Sequence, residues 1–199
     1  MSNESNNSIF LERMNSVQTE YFSKNSKNQL FKKSQKFDCA KYITDQLDIN
    51  TMIAEAVFII PNTNIIFIDY VIFKIFANED IYNRIIDHIM ELFDYAIQYY
   101  GSIQVNFNLR TFTVSAAERY IPAIKQFCNR CLTNQTNYTQ FMNAFRILNT
   151  PSVMEMIISI VKPFVEKDVI MKLTFLNKND TIQYCKDTNF NIKSDFIQK

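Results

Sequence analysis

The chain has 199 residues, with 21 Lys+Arg against 20 Asp+Glu, a single glycine and no tryptophan. That near-neutral balance argues against a nucleic-acid binder, which gains its affinity by neutralising phosphates with an excess of cations. An apolar fraction of 47% and a charged fraction of 21% are those of a globular protein of one-domain length, and one glycine excludes every glycine-rich nucleotide loop.

In chain order, Ile9 to Phe22 carries apolar residues at Phe10, Met14, Val17 and Tyr21, which predicts an amphipathic helix. The polar segment 23–29 reads as a linker, and Lys24, Lys27, Lys32, Lys33 and Lys36 form a basic run that we read as a solvated, mobile segment rather than a membrane-surface patch. Asp38 is expected to cap a second helix through Leu47. Glu55 to Ile60 and Ile65 to Phe73 read as strands joined by the turn Pro61-Asn62-Thr63-Asn64. Asn78 opens a long helix to Tyr100, and Gly101 stands where a left-handed cap belongs.

Ile103 to Arg110 is the next strand. Its alternation places Ile103, Val105, Phe107 and Leu109 on one face and Gln104, Asn106, Asn108 and Arg110 on the other. A central parallel strand is expected to be apolar on both faces, so we read the polar row as solvent-facing or water-satisfied rather than as the lining of a cavity. Ser115 to Glu118 has the form of a capping box for a helix to Leu132, strained at Pro122. Phe145 to Leu148 is a strand, Thr150-Pro151 starts a helix, and Pro163 closes it. A strand over Met171 to Leu176 and a short helix from Asp180 finish the pattern. The order β-β-α-β-α-β-α-β predicts an α/β fold with a mostly parallel sheet and right-handed connections.

The helix after Pro151 is unusually apolar. Ser152, Glu155, Ser159 and Lys162 make one narrow polar stripe, while Val153, Met154, Met156, Ile157, Ile158, Ile160 and Val161 are all apolar. A helix lying on a sheet needs an apolar arc of little more than a quarter turn. Something else apolar is therefore expected to cover the rest.

Catalytic and metal chemistry find little support. Cys128-x-x-Cys131 has no second pair, and the only histidine, His88, lies on another helix, so both cysteines read as core filling. His88 lacks a nucleophile or an orienting carboxylate at fixed spacing and reads as a surface or boundary residue. We expect no enzyme, no metal and no cofactor.

No apolar run follows the initial MSNESNNS, and the longest apolar stretches are interrupted by Asp69, Lys74 or Lys162, so a cytoplasmic protein is expected. Four cysteines fit that reducing setting as buried thiols. Abundant Ile, Asn, Lys, Phe and Tyr beside scarce Gly and Trp point to an A/T-rich genome, such as that of a protozoan or a large DNA virus.

Four segments appear in order: VNFNLRTF (105–112), RILNTP (146–151), VKPFV (161–165) and KLTFL (172–176). Together they resemble the CRAL-TRIO lipid-binding family, which includes tocopherol and phosphatidylinositol transfer proteins. Members carry a strand of the form "IFDLKG", a strand ending in "INAP", a helix ending in "KPFL" and a closing strand starting "KI". The resemblance spans residues 65–176.

It implies a sheet that floors an apolar pocket, a short N-terminal helical region over 1–50, and a lipid-binding domain over 51–199. It also implies that the helix between Asn149-Thr150-Pro151 and Lys162-Pro163-Phe164 is a mobile gate. The implied ligand-binding residues are Met154, Ile157, Ile158, Val161, Phe164 and Lys172, with Phe107 and Leu109 on the sheet. Lys172 matches the lysine with which phosphatidylinositol binders hold their headgroup. Val169 stands for the threonine and Gln140 for the glutamate of that site, and Asn108 and Thr111 replace the acid and glycine of "IFDLKG". The expected partners are a lipid or other lipophilic ligand and a membrane surface touched in transit. The alternative is a regulatory module with a reduced pocket and a protein partner.

Overall fold

The computed structural model describes residues 2–25 and 32–192. Helices α1 (Ser2–Lys24) and α2 (Lys32–Gln46) come first. Residues 26–29 of the predicted linker 23–29 lie outside the described residues; of the basic run read as a mobile segment, Lys24 ends α1 and Lys32, Lys33 and Lys36 belong to α2. Asp38 is internal to α2 and caps nothing; it accepts a bond from Ser34 Oγ at 3.4 Å.

The run 55–60 is not all strand. Asp48 accepts from the Thr51 amide at 2.7 Å and starts α3 (Ile49–Ala56), and β1 (Val57–Ile59) begins only after it. The run 65–73 divides in the same way. After β2 (Ile65–Asp69), the Asp69 carboxylate accepts from the Val71 amide at 3.0 Å and caps α4 (Tyr70–Phe76). A continuous apolar run does not distinguish a buried strand from a buried helix, and the two aspartates decide it.

A short 3-10 turn (Glu79–Ile81) leads into α5 (Tyr82–Tyr100), which ends on Gly101 at φ 68 as its spacing predicts. Next come β3 (Ile103–Asn108), α6 (Val114–Arg119) and α7 (Ile121–Thr133). Thr113, not Ser115, caps α6, accepting from the Ala116 amide at 3.2 Å. Pro122 does not bend one long helix; it sits in the first turn of α7, where its missing N–H leaves no bond unmade. The chain continues through α8 (Tyr138–Phe141), β4 (Met142–Leu148), α9 (Met154–Val161), a 3-10 turn (Lys162–Phe164), α10 (Lys167–Met171), β5 (Leu173–Phe175) and α11 (Lys178–Asp187). The pattern missed α10, whose five residues are too short to show a helical period.

Among the described residues the sheet is five-stranded, in the order β1-β2-β3-β4-β5. β1 pairs antiparallel with β2 through the predicted hairpin, where Asn62 takes the positive φ of 59, and the other pairings are parallel. The fold class is the expected α/β, with helices against a mostly parallel sheet. Register aligns Ile66, Val105, Phe145 and Leu173 across one face, and Ile68, Phe107, Ile147 and Phe175 beside them. This face meets the main core, which also contains Leu11 and Met14 of α1 and Ile43 of α2, all at most 5% exposed. The N-terminal helices and the sheet therefore share one core.

The opposite face corrects the reading of Asn106 and Asn108. Both are fully buried, not solvent-facing. Asn106 donates to Tyr184 Oη of α11 at 3.0 Å, and Asn108 donates to Asp69 Oδ1 at 3.0 Å. Gln104 accepts from Arg146 at 2.7 Å, and the Arg146 guanidinium lies 5.4 Å from the centre of the Tyr184 ring. An alternating polar row can thus be covered by a polar helix instead of by water.

Candidate functional site

The apolar excess of the segment after Pro151 is real surface. Of α9 only Ile157 is fully buried, at 2% exposure, and Met156 is 56% exposed. Met154 and Ile160 pack on the main core from half-buried positions, and Ile158 and Val161 are also half-buried. The stripe Ser152, Glu155, Ser159 and Lys162 is exposed, as its spacing predicts. The helix is shorter than expected: it begins at Met154, not at Pro151, and packs against α6.

Both ends of α9 are held. Before it, Asn149 takes φ 50 and donates its amide to Asn108 Oδ1 at 2.9 Å, while its own backbone N–H donates to Thr181 Oγ1 at 2.8 Å. After it, Phe164 lies under the Lys125 ammonium of α7, 4.7 Å from the ring centre. Lys172 then donates to the Thr139 carbonyl at 2.6 Å, and the Thr139 hydroxyl donates to the Glu166 carboxylate.

These last residues border an open cleft of ≈ 680 Å³, lined by Thr139, Gln140, Glu166, Asp168, Met171 and Lys172 among others. Its size is that of a small-molecule site, but its lining mixes carboxylates, lysines and one methionine. Among the predicted residues only Lys172 lines it. Leu109, at 3% exposure, and Ile157 lie inside the main core, with Phe107 and Met154 packed against it. Two groupings result: an apolar one at α9, packed into and against the main core, and a polar one at Lys172. The Thr139–Glu166 contact was missed because its partners are 27 positions apart and follow no motif.

The cysteines carry free thiols. Burial pushes Cys128 up to about 11, and burial with the neighbouring Cys128 pushes Cys131 up to about 12, the reverse of an activated thiol. Both are half-buried, so they edge the core rather than fill it. His88 is half-buried, with Nε2 2.9 Å from the Val57 carbonyl oxygen. Among the described residues no cluster of His, Cys, Asp or Glu could hold a metal, and no helix is long and apolar enough to cross a membrane.

A family model for the CRAL/TRIO domain matches residues 65–191, from the first residue of β2 to beyond α11. No curated protein matches the chain.

Proposed function

The chain belongs to the CRAL/TRIO domain family, whose domains bind lipophilic ligands, and from that premise we propose that it holds a lipid between the sheet and α9. The observation that carries this reading is the helix itself: one buried residue, four half-buried apolar residues and an exposed Met156 between two anchored ends. α9 acts as the gate. Moving it would open the sheet face at Phe107 and Leu109, while Met154, Ile157, Ile158, Val161 and Phe164 would turn towards the ligand. Lys172 stands ready for an anionic headgroup, with Gln140 and Val169 in place of the rest of an inositol site.

Exposed Val153, Met156, Met171 and Phe175 give the apolar rim through which the domain would touch a membrane. In this reading residues 51–199 form the binding domain and 1–50 its helical support, the work is done in the cytoplasm, and binding needs no catalytic residue.

A second reading has one observation in its favour. Leu109 and Ile157 are already buried against other side chains, as in a regulatory module with a reduced pocket that engages a protein. Native mass spectrometry after incubation with phosphatidylcholine vesicles separates the two. Retention of a lipid mass supports the carrier. A lipid-free mass, with no depletion of lipid from the vesicles, supports the module.

A further inference from the structure

The open cleft of ≈ 680 Å³ at Lys172 carries charges of both signs. It lies where the chain enters the sheet: α8 ends as β4 begins at Met142, and Lys172 stands directly before β5. One residue organises it. The Thr139 carbonyl accepts from Lys172 Nζ at 2.6 Å, and the Thr139 hydroxyl donates to the Glu166 carboxylate. Among the described residues Glu166 and Lys172 form no ion pair with each other. A cation and an anion are therefore tied to the same residue, one at its carbonyl and one at its hydroxyl, without direct contact. An ammonium has further donors and a carboxylate a further oxygen, so both keep capacity for a ligand. Lys167 and Asp168, both exposed, add another charge of each sign to the lining.

This even balance sorts the ligands that a cleft of this size admits. A purely anionic group gains from Lys172 but meets Glu166 and Asp168, like charges that work against it. A bare cation meets the two lysines. A zwitterion matches both. Because the two tied charges do not touch, they suit charges separated by a short chain better than the adjacent charges of an amino acid. The cationic half is narrowed further by the lining. Quaternary ammonium groups carry no N–H and are ordinarily held over aromatic faces, yet none of the described residues lining the cleft is aromatic. A primary ammonium instead donates charge-assisted bonds to carboxylates, which the cleft supplies. For the anionic half, a lysine ammonium binds phosphate as a point charge.

We propose that this cleft is a receptor for a phosphoethanolamine group, with Lys172 on the phosphate and Glu166 on the primary ammonium. The group belongs either to a phosphatidylethanolamine headgroup or to soluble phosphoethanolamine. For the lipid source this rests on the reading of Lys172 as a headgroup contact; the soluble source does not need it. Phosphatidylcholine shares the phosphate, so the preference against it is one of degree.

Two arms test this on the full chain. In the first, vesicles of equal parts phosphatidylethanolamine, phosphatidylcholine and phosphatidylinositol are offered, and native mass spectrometry reads which lipid is retained. In the second, thermal unfolding is followed with phosphoethanolamine against phosphocholine at equal ionic strength. We expect phosphatidylethanolamine to be retained about tenfold over phosphatidylcholine, the scale of one charge-assisted hydrogen bond, or stabilisation by phosphoethanolamine above phosphocholine, or both. Preference in the vesicle arm alone assigns the group to a headgroup, and preference in the soluble arm assigns it to the free molecule as well. Glu166→Gln keeps an oxygen for the Thr139 hydroxyl and should remove the preference, while Lys172→Gln should weaken phosphoethanolamine binding about tenfold. If Glu166→Gln does not fold, the wild-type comparison decides. Lipid retained without preference for phosphatidylethanolamine, together with no difference between the soluble probes, overturns the proposal and leaves the carrier reading standing. No lipid retained counts against the carrier, and the soluble arm then decides the receptor. A preference that survives intact in folded Glu166→Gln also overturns it.

Discussion

Asn149 and Asn108 are joined side chain to side chain, Nδ2 to Oδ1, at 2.9 Å. The bond links the end of β4 to the end of β3, and Asn108 passes the connection on to Asp69 at the end of β2. Three neighbouring strand ends are thus fixed to one another just before the chain enters α9. In a protein with one glycine, Asn149 also supplies the left-handed residue of the turn, at φ 50.

Asn149→Ala should therefore lose about 2 kcal/mol of stability, one hydrogen bond plus the strain of a left-handed alanine. Asn149→Gly, free of the strain, should lose about half of that. Urea unfolding of the two variants checks this, and equal losses would remove the backbone part of the argument.

Thr111 occupies φ 66 in the turn closed by the Phe112 amide on the Leu109 carbonyl at 2.9 Å. A β-branched residue is poorly suited to that conformation, and glycine is the residue such a turn favours. Thr111→Gly is expected to raise stability by about 1 kcal/mol, or the melting temperature by roughly 2–4 °C. A melting temperature unchanged or lowered in calorimetry would show that the Lys74–Thr111 bond outweighs the relief.

Lys125 over Phe164 holds the far end of α9. If α9 is the gate, Lys125→Ala removes about 1 kcal/mol from its closed state and speeds lipid transfer about fivefold. Stopped-flow transfer of a fluorescent phospholipid between vesicles reads the rate directly. No acceleration in a stably folded variant would detach this contact from gating.

Burial raises the thiols of Cys39 and Cys128 to about 11 and, with help from Cys128, that of Cys131 to about 12, against 9.0 in an exposed thiol. Because the folded values are raised, the unfolded chain releases these protons first. The associated stability is complete below pH 9 and is lost as pH climbs through 9 towards 11–12. The urea midpoint should fall between about pH 8 and about pH 10.5, and a constant midpoint would contradict the burial of these thiols.

Much of this was legible beforehand, because strands with turns between them, and a motif series in order, leave local marks. The greasy arc of α9, the Gly101 cap and the hairpin at Asn62 all followed from spacing alone. What failed was tertiary. Nothing around Asn106 announced that Tyr184, 78 positions later, would cover it. Nothing around Ile65 to Phe73 said that one aspartate would turn a strand into a helix. At the site, the motifs located α9 and Lys172, but the burial of Ile157 in the core and the packing of α6 on α9 rest on contacts that no single segment encodes.

The strands lie side by side in the order in which they are made. During synthesis each new strand can dock on the one before it without waiting for a distant partner, so order in space can serve as order in time. The polar back of the sheet is the exception. Asn106 and Arg146 meet Tyr184 only when residues 178–187 exist, so the side-chain amide of Asn106 remains hydrated until α11 dries it.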